Sequence, residues 1–263
     1  MLSFPKELSK ARILISNDDG IHSQGIKVLE EIALGVTDNV WVVAPETEQS
    51  AAGHSLTIHR PLRMRTYDDR HISVFGTPTD SVLMAVKKVM EGRRPDLILS
   101  GINHGKNNGD DVTYSGTIAV AIEATLLGIP AIAFSQDHPE NRQSSMDWDI
   151  AKKWIPKILS SLEGFEWEDN VLLNVNFPAV DPGADASIKV VPQGHFNTSE
   201  DDLIECIDPR GKPYFWIGPP PEVVGQDETT DIGAVADGHI TITPLSLNLT
   251  HDKTLDKLKG IIK

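Results

Sequence analysis

Two adjacent carboxylates, Asp18 and Asp19, come soon after an apolar run at residues 13–15 and directly before Gly20. The apolar run predicts a buried strand, and the glycine predicts a turn at its end. Two carboxylates at one strand end repel each other, so together they favour the binding of a cation. The pair therefore predicts a divalent metal site. For an Asp pair in general, capping of a following helix, here one beginning near residues 22–23, is the competing interpretation.

Polar loops also follow the next two predicted strands. Ser50 lies in the loop after the run at residues 40–43, and Asn103 lies after the run at residues 97–99. Because ligands bind at the carboxyl ends of strands in open α/β sheets, these loops should converge on one crevice with the two aspartates. The four side chains would supply only oxygen ligands, which Mg²⁺ and Mn²⁺ prefer. Taken singly, Ser50 could be a helix cap and Asn103 a left-handed turn residue.

The tripeptide Ser115-Gly116-Thr117 opens an apolar helical segment. A helix start of this composition offers free backbone N–H groups, two hydroxyls and the positive end of the helix dipole, which together suit a phosphate group. An ordinary N-cap is the alternative. The preceding residues 105–109 are rich in Gly and Asn, and we expect a flexible loop that lets a ligand approach the backbone.

Three histidines, His54, His59 and His104, have the residue type for acid–base catalysis. A lone histidine is more often packed or exposed than catalytic, so these residues remain candidates only. Another turn-to-helix entry lies at residues 76–80, where we expect Thr79 or Asp80 to cap the helix.

The first half of the chain alternates β-branched runs with amphipathic stretches, which predicts an α/β fold. The fold class that we predict for the chain is a Rossmann-like, largely parallel sheet with helices on both faces. Predicted strands cover 13–15, 40–43, 97–99 and 131–134, helical stripes cover 26–33 and 82–89, and a short β excursion covers 59–64 and 71–75. In the second half we expect helices at 147–162 and 250–263 and strands at 171–177, 188–191 and 239–243.

A projecting C-terminal β-hairpin arm is predicted around the turn Asp208-Pro209-Arg210-Gly211. Its second strand, at residues 214–217, contains three consecutive aromatic side chains. This is too much aromatic surface for a solvated loop, so we expect the hairpin to pack on another subunit.

Length and charge limit the classes of function. With 263 residues and 40% hydrophobic content, the chain suits one α/β domain. A net charge of -14 argues against a nucleic-acid polymer as partner, although small anions remain possible if a metal supplies positive charge. Cys206 is the only cysteine, which excludes an intramolecular disulfide. No stretch reaches the ~18 apolar residues of a membrane span, and no signal peptide is recognisable, so we expect a cytoplasmic protein without membrane contact.

Taken together, these stretches closely resemble the SurE family of survival-protein nucleotidases. The motifs that carry the resemblance are residues 15–21, 43–45, 49–55, 76–80, 100–105 and 115–117, with 208–211 and 230–231 as further family features. The resemblance covers most of the chain.

The resemblance implies a metal-dependent 5′-nucleotidase that hydrolyses nucleoside 5′-monophosphates and also 3′-monophosphates. It implies one divalent cation per subunit, Mg²⁺ or Mn²⁺, and a homodimer or homotetramer that exchanges the arm. The single domain would span residues 1–263, with a core at about 11–192 and the arm and tail at about 193–263. The implied metal ligands are Asp18, Asp19, Ser50 and Asn103, with the two aspartates catalytic.

Three other classes compete with this interpretation. Haloacid-dehalogenase-type phosphatases use one Asp as nucleophile but place the second two positions on, unlike Asp18 and Asp19. A non-catalytic nucleotide-binding or stress-regulatory module could use the same crevice without turnover. A dinucleotide-binding oxidoreductase fits less well, because the first turn lacks the three-glycine phosphate fingerprint.

Overall fold

The computed structural model describes residues 2–138, 147–180, 186–196, 203–217 and 227–262. The strands in these ranges are β1 (Leu2–Ser3), β2 (Ile13–Ser16), β3 (Val40–Pro45), β4 (Met64–Thr66), β5 (His71–Val74), β6 (Leu97–His104), β7 (Ala131–Gln136), β8 (Glu166–Trp167), β9 (Val171–Phe177), β10 (Ile188–Val190), β11 (Leu203–Ile207), β12 (Pro213–Ile217) and β13 (Ile240–Ser246). The α-helices are α1 (Gln24–Leu34), α2 (Pro78–Met84), α3 (Gly116–Leu126), α4 (Asp149–Ser161), α5 (Asp231–Ala236) and α6 (Asp252–Ile261). Short 3₁₀ turns lie at Leu8–Lys10 and Gly109–Thr113, and a π-helical turn, Ala85–Val89, continues α2.

In the described ranges the central sheet has nine strands, in the order β10-β13-β9-β7-β6-β2-β3-β5-β4. The six strands from β9 to β5 pair in parallel, whereas β13 and β4 pair antiparallel to their inner neighbours. From β2 the chain first builds outward through β3 and β5, and it then returns to place β6 on the other side of β2. The strand order therefore reverses between β2 and β6, which is where open α/β sheets bind ligands.

Helices cover both faces of this sheet, as predicted. On one face α1 and α4 pack apolar side chains such as Ile26 and Ile155 against Ile13 and Ile15 of β2. On the other face α2 and α3 pack against Leu14 and its neighbours. Because both faces are covered, β2, β3 and β7 are buried along their whole length, and this burial explains their continuous apolar sequences.

Several local predictions were wrong. Residues 59–63 form no strand, so the β excursion begins only at β4, and β5 then joins the main sheet beside β3. The loop predicted after Leu99 is the second half of β6, which pairs with β7 again after a register shift between Ser100 and Asn103. Helix α2 is capped by Thr77, not by Thr79 or Asp80, and Asp80 completes the capping box from inside the helix.

The predicted C-terminal hairpin is present. Strands β11 and β12 pair antiparallel, and Leu203, Tyr214, Phe215, Trp216 and Ile217 are all exposed. The tail helix α6 is also exposed along its whole length. None of the described helices is long and apolar enough to cross a membrane.

Candidate metal and phosphate site

A crevice of about 570 Å³ opens at the carboxyl ends of the central strands. It is lined by Asp18, Asp19, Glu48, Ser50, Ala51, Asn103, His104, Lys106, Asn107, Asp111, Tyr114 and Ser115. All four predicted metal ligands are in this set, although they come from three separate strand ends. The predicted convergence of the loops is therefore what the structure shows.

The turn after β2 holds the two aspartates in place. The Asn17 side-chain amide donates to the carbonyl of Gly20 at 3.1 Å and to the hydroxyl of Ser23 at 2.8 Å. Gly20 has φ +95°, a backbone conformation that suits glycine. Ser23 occupies the N-cap position of α1, so neither aspartate caps that helix. The competing capping interpretation of the Asp pair is thus wrong.

Asp18 is buried against the first turn of α3. Its Oδ1 accepts a hydrogen bond of 2.5 Å from the Thr117 hydroxyl. Burial raises the pKa of Asp18, while the bonds from the Thr117 hydroxyl and from the backbone N–H groups of Asp18, Thr117 and Gly116 lower it. A Cβ added at Gly116 would lie 2.6 Å from the Asp18 Cβ, so the helix can approach the carboxylate this closely only with glycine there. The α3 N-terminus therefore holds the Asp18 side chain.

The predicted phosphate tripeptide is divided between two tasks. Ser115 is the N-cap of α3, and its hydroxyl accepts from the backbone N–H of Ile118 at 3.1 Å. Thr117 is fully buried, and its hydroxyl donates a hydrogen bond to Asp18. Of Ser115, Gly116 and Thr117, only Ser115 lines the crevice. A role of the tripeptide in phosphate binding stays a prediction.

Asp19 is half-buried beside Asp18. Burial, the neighbouring Asp18 charge and the Glu48 charge together raise the pKa of Asp19 to about 7, although the backbone N–H of His104 opposes this rise. In the described part of the chain neither aspartate forms an ion pair with a lysine or arginine. The pair is thus a concentration of negative charge without a compensating cation from the protein.

Ser50 and Asn103 bring neutral oxygens to the crevice. The Ser50 hydroxyl donates to Glu48 at 2.8 Å in the loop after β3. This loop is joined to the turn after β2, because the Gln49 N–H donates to the Asp18 carbonyl at 2.8 Å. The Asn103 amide nitrogen donates to the carbonyl of Gly105 at 2.9 Å, which leaves its side-chain oxygen as the acceptor. Within the described ranges no three His, Cys, Asp or Glu side chains are grouped as a metal site. A cation here would therefore depend on the hydroxyl and the amide as well as on the carboxylates.

Both the sequence and the fold match those of known proteins. The family model described as Survival protein SurE matches residues 13–200. The chain belongs to the SurE family. It is 50% identical over 262 residues to a 5'-nucleotidase SurE of Paramagnetospirillum magneticum, which covers 98% of this chain and 99% of the relative. It is 46% identical to a 5'-nucleotidase SurE of Rhodospirillum rubrum, over 99% of each chain.

The fold agrees with a solved structure of the family. The crystal structure of SurE protein from Aquifex aeolicus matches with a TM-score of 0.82 and 38% identity, over 95% of this chain and 99% of that chain. The resemblance and the fold class expected from the sequence are both confirmed.

In this SurE-family chain only one of the three candidate histidines lines the crevice. His104 does so and stacks on His138 with 4.3 Å between ring centroids, and burial and His138 lower the pKa of His104. His54 is instead paired with Glu123 at 3.0 Å, and His59 does not line the crevice. Burial and the neighbouring His138 thus favour the neutral form of His104.

The loop at residues 105–109 is packed, so the expectation of a flexible loop was wrong. The Asn107 backbone N–H donates to Asn176 Oδ1 at 2.8 Å, and its side chain donates to Ser135 at 2.8 Å. Its carbonyl accepts from Asn174 at 2.7 Å and from Asn176 at 3.0 Å. Buried polar side chains of β7 and β9 thus fix this crevice wall.

Among the described lining residues, sequence reasoning did not single out four polar side chains: Glu48, Lys106, Asp111 and Tyr114. Asp111 and Tyr114 precede the Ser-Gly-Thr tripeptide, and Glu48 precedes Ser50, so closeness to recognised motifs was the available signal. Lys106 had the same signal, because it lies three residues after Asn103.

Proposed function

We propose that the chain hydrolyses nucleoside 5′-monophosphates to nucleoside and inorganic phosphate. Relatives that are 46% and 50% identical over nearly their whole length are named 5'-nucleotidase SurE. The structural observation that carries the proposal is the pair Asp18 and Asp19, which faces a crevice at the reversal point of the sheet. Nucleoside 3′-monophosphates are proposed as a second substrate class.

We further propose that one divalent cation per chain, Mg²⁺ or Mn²⁺, binds to Asp18, Asp19, Ser50 and Asn103. The residues fit such an ion because they offer only oxygen ligands, and because the carboxylate pair lacks a positive partner. When bound, the cation would supply charge that polarises a phosphoryl oxygen and makes a water molecule more acidic.

The protein's own contribution begins with orientation. Thr117 and the first turn of α3 fix the Asp18 carboxylate, so this side chain needs no reorganisation when a ligand arrives. The Ser115 hydroxyl lies at the crevice surface, where it can contact the phosphate. Gly116 and Thr117 support the phosphate site through the position that they impose on Asp18.

Two groups at the crevice can handle the proton of the attacking water. His104 can accept a proton in its neutral form, which burial and His138 favour by lowering its pKa. Asp19 has its pKa raised to about 7 in the protein without a cation, and a nearby positive charge favours its ionised form. The water proton ends on one of these bases, and the leaving 5′-oxygen takes up a proton to give the nucleoside.

The test is phosphate release from a panel of nucleoside 5′- and 3′-monophosphates, first with chelator and then with Mg²⁺ or Mn²⁺ restored. We expect no release with chelator and hydrolysis after restoration, which would also rank the substrates. Folded protein that releases no phosphate with any cation would contradict the proposal. That result would favour a nucleotide-binding or regulatory module.

We also propose that the β11–β12 hairpin joins subunits into a homodimer or homotetramer. Its aromatic strand is exposed, with Phe215 57% and Trp216 62% accessible to solvent in the single chain. Deletion of Leu203–Ile217 should reduce the number of subunits per particle, as calculated from the molecular mass that size exclusion with light scattering gives. An unchanged assembly would refute this role of the hairpin.

A further inference from the structure

Lys106 lies on the crevice wall, in the loop that follows β6. The backbone N–H of Gly105 donates to the Gln136 carbonyl at 2.8 Å, and that of Asn107 donates to Asn176 at 2.8 Å. Both neighbours of Lys106 are therefore anchored, while the lysine side chain itself is 43% exposed. The side chain can turn without movement of the loop.

The crevice is otherwise strongly negative. Among the described residues that line it, four carry carboxylates, Asp18, Asp19, Glu48 and Asp111, and Lys106 is the only lysine or arginine. A divalent cation would offset the first two carboxylates but would leave the other two facing the substrate. A phosphate monoester carries nearly two negative charges at neutral pH, so it needs positive charge from the wall.

The field of Lys106 reaches the acidic wall. Burial raises the pKa of Asp111, and the nearby Lys106 ammonium opposes this rise. The ammonium is thus close enough to act electrostatically on a group that lines the crevice.

Lys106 forms an ion pair with Asp137 that can break at little cost. Its Nζ lies 2.9 Å from Oδ2 of Asp137, a residue outside the crevice lining. A partly exposed ion pair of this kind contributes little to stability. A phosphate oxygen offers a charge-assisted hydrogen bond of the same kind, and the ammonium has three rotatable donors with which to form it.

We propose that Lys106 is a phosphate-binding residue of this crevice, whose ammonium leaves Asp137 and donates to a non-bridging oxygen of the substrate phosphate. The inference rests on the proposed function, because it assigns the phosphate of the substrate to the same site. Asp137 holds the ammonium when no phosphate is present and competes with the substrate for it.

The first test replaces the charge by an apolar chain of similar length. Lys106→Met should lower kcat/KM for a nucleoside 5′-monophosphate by about 10- to 100-fold, the range for loss of one charged hydrogen bond. It should weaken inhibition by inorganic phosphate by a similar factor. Inhibition by the uncharged nucleoside product should stay unchanged, whereas a distorted crevice would weaken both.

The second test changes the competitor. Asp137→Asn keeps the size of the side chain but removes its charge, so the lysine is released to the crevice. Inhibition by inorganic phosphate should become several-fold tighter, which is opposite in sign to the effect of Lys106→Met. Two substitutions within one ion pair that act in opposite directions cannot be explained by a general loss of folding.

Lys152 provides a matched control. Its Nζ lies 2.9 Å from Glu31, and its side chain is 42% exposed, but it lies on α4 and away from the crevice. Lys152→Met should leave kcat/KM and phosphate inhibition at wild-type values. Thermal unfolding of all variants would check that each is folded.

Two results would overturn the proposal. One is a Lys106→Met variant whose kcat/KM and phosphate inhibition stay within twofold of Lys152→Met. The other is an equal loss of inhibition by phosphate and by nucleoside in Lys106→Met.

Calorimetric titration with inorganic phosphate measures phosphate binding without any turnover. Lys106-dependent phosphate binding by a protein that hydrolyses no nucleotide would thus contradict the proposed function and support the role of Lys106.

Discussion

The two ends of the central sheet each have a hollow of similar size, and they differ in how charge is arranged. The crevice at the carboxyl ends measures about 570 Å³, and a groove at the amino ends measures about 660 Å³. In the groove, Arg12 donates to both carboxylate oxygens of Asp96 at 3.1 Å. Arg94 donates to the carbonyls of Leu127 and Gly128, where α3 ends.

The crevice and the groove are therefore similar in volume, but they differ in whether their charges are compensated. The groove charges named above stabilise the fold, because each arginine neutralises a carboxylate or a helix end. In the crevice, Asp18 and Asp19 have raised pKa values, and no lysine or arginine of the described residues pairs with them. Negative charge that the fold leaves uncompensated indicates a ligand that brings the missing positive charge.

The largest expected difference between the two ends is in catalysis. Asp18→Asn should lower kcat/KM for a nucleoside monophosphate by about 10²- to 10³-fold, as expected when a group that stabilises transition-state charge is lost. Asp96→Asn makes the same chemical change in the groove and should leave kcat/KM unchanged. It should cost roughly 1 kcal/mol or less in unfolding free energy, because the pair with Arg12 is partly exposed.

Steady-state assays with Mg²⁺ or Mn²⁺, together with thermal unfolding, measure both effects. Activity of Asp18→Asn within tenfold of wild type would show that the crevice is not the active site. Equal losses of activity in both variants would mean that the assay reports folding and not chemistry.

A smaller effect is expected from the contact between α3 and Asp18. In Gly116→Ala the new methyl group would lie 2.6 Å from the Asp18 Cβ, so the carboxylate must shift. We expect a loss of about tenfold or more in kcat/KM, since small displacements of a positioned group are costly. Gly260→Ala is the control, because a Cβ there meets nothing within 4 Å in the exposed helix α6. It should raise stability slightly and leave activity intact.

Measurement of kcat/KM for the two alanine variants checks this contrast. A Gly116→Ala variant with wild-type activity would show that the close approach of α3 does not position Asp18.

The buried strands could be predicted from sequence because both of their faces are covered. Continuous apolar runs located β2, β3 and β7. The second half of β6 was missed because its Ser and Gly residues are typical of a loop, although Asn103 pairs with Ser135 of β7. That pairing depends on a register shift, which is a property of two distant strands.

The same limit applies to the candidate site. Asp18, Asp19, Ser50 and Asn103 could be brought together in prediction, since parallel strands end at a common edge. The contact of Thr117 with Asp18 joins residues 99 positions apart, and it depends on how α3 packs across the sheet. The packing of the loop at residues 105–109 likewise depends on Asn174 and Asn176 of β9, and composition alone indicated the opposite.

The smallest expected effect is a difference in how the two ends respond to pH. The pKa of Asp19 is about 7 in the folded protein, above its ordinary value near ~4, so the folded state retains a proton that the unfolded state has released. Without a cation, the contribution of Asp19 to the free energy of unfolding falls as the pH rises from about 4 to about 7. Burial raises the pKa of Asp96, but the bonds from Arg12 outweigh this and hold it below its usual range. Its contribution is therefore present at neutral pH and is lost only on acidification.

Thermal unfolding in chelator at about pH 5 and about pH 8 separates the two cases. Asp19→Asn should gain in Tm relative to wild type as the pH rises, by roughly a few degrees. Asp96→Asn should have a lower Tm than wild type at both values, because its carboxylate is ionised at both. Restoring Mg²⁺ or Mn²⁺ should reverse the order of wild type and Asp19→Asn at the higher pH, since a ligand stabilises only the form that binds it. If the Tm of the metal-free Asp19→Asn variant does not rise relative to wild type between the two pH values, the negative charge of the carboxylate pair is compensated within the protein. The proposed difference between the two ends of the sheet would then be wrong.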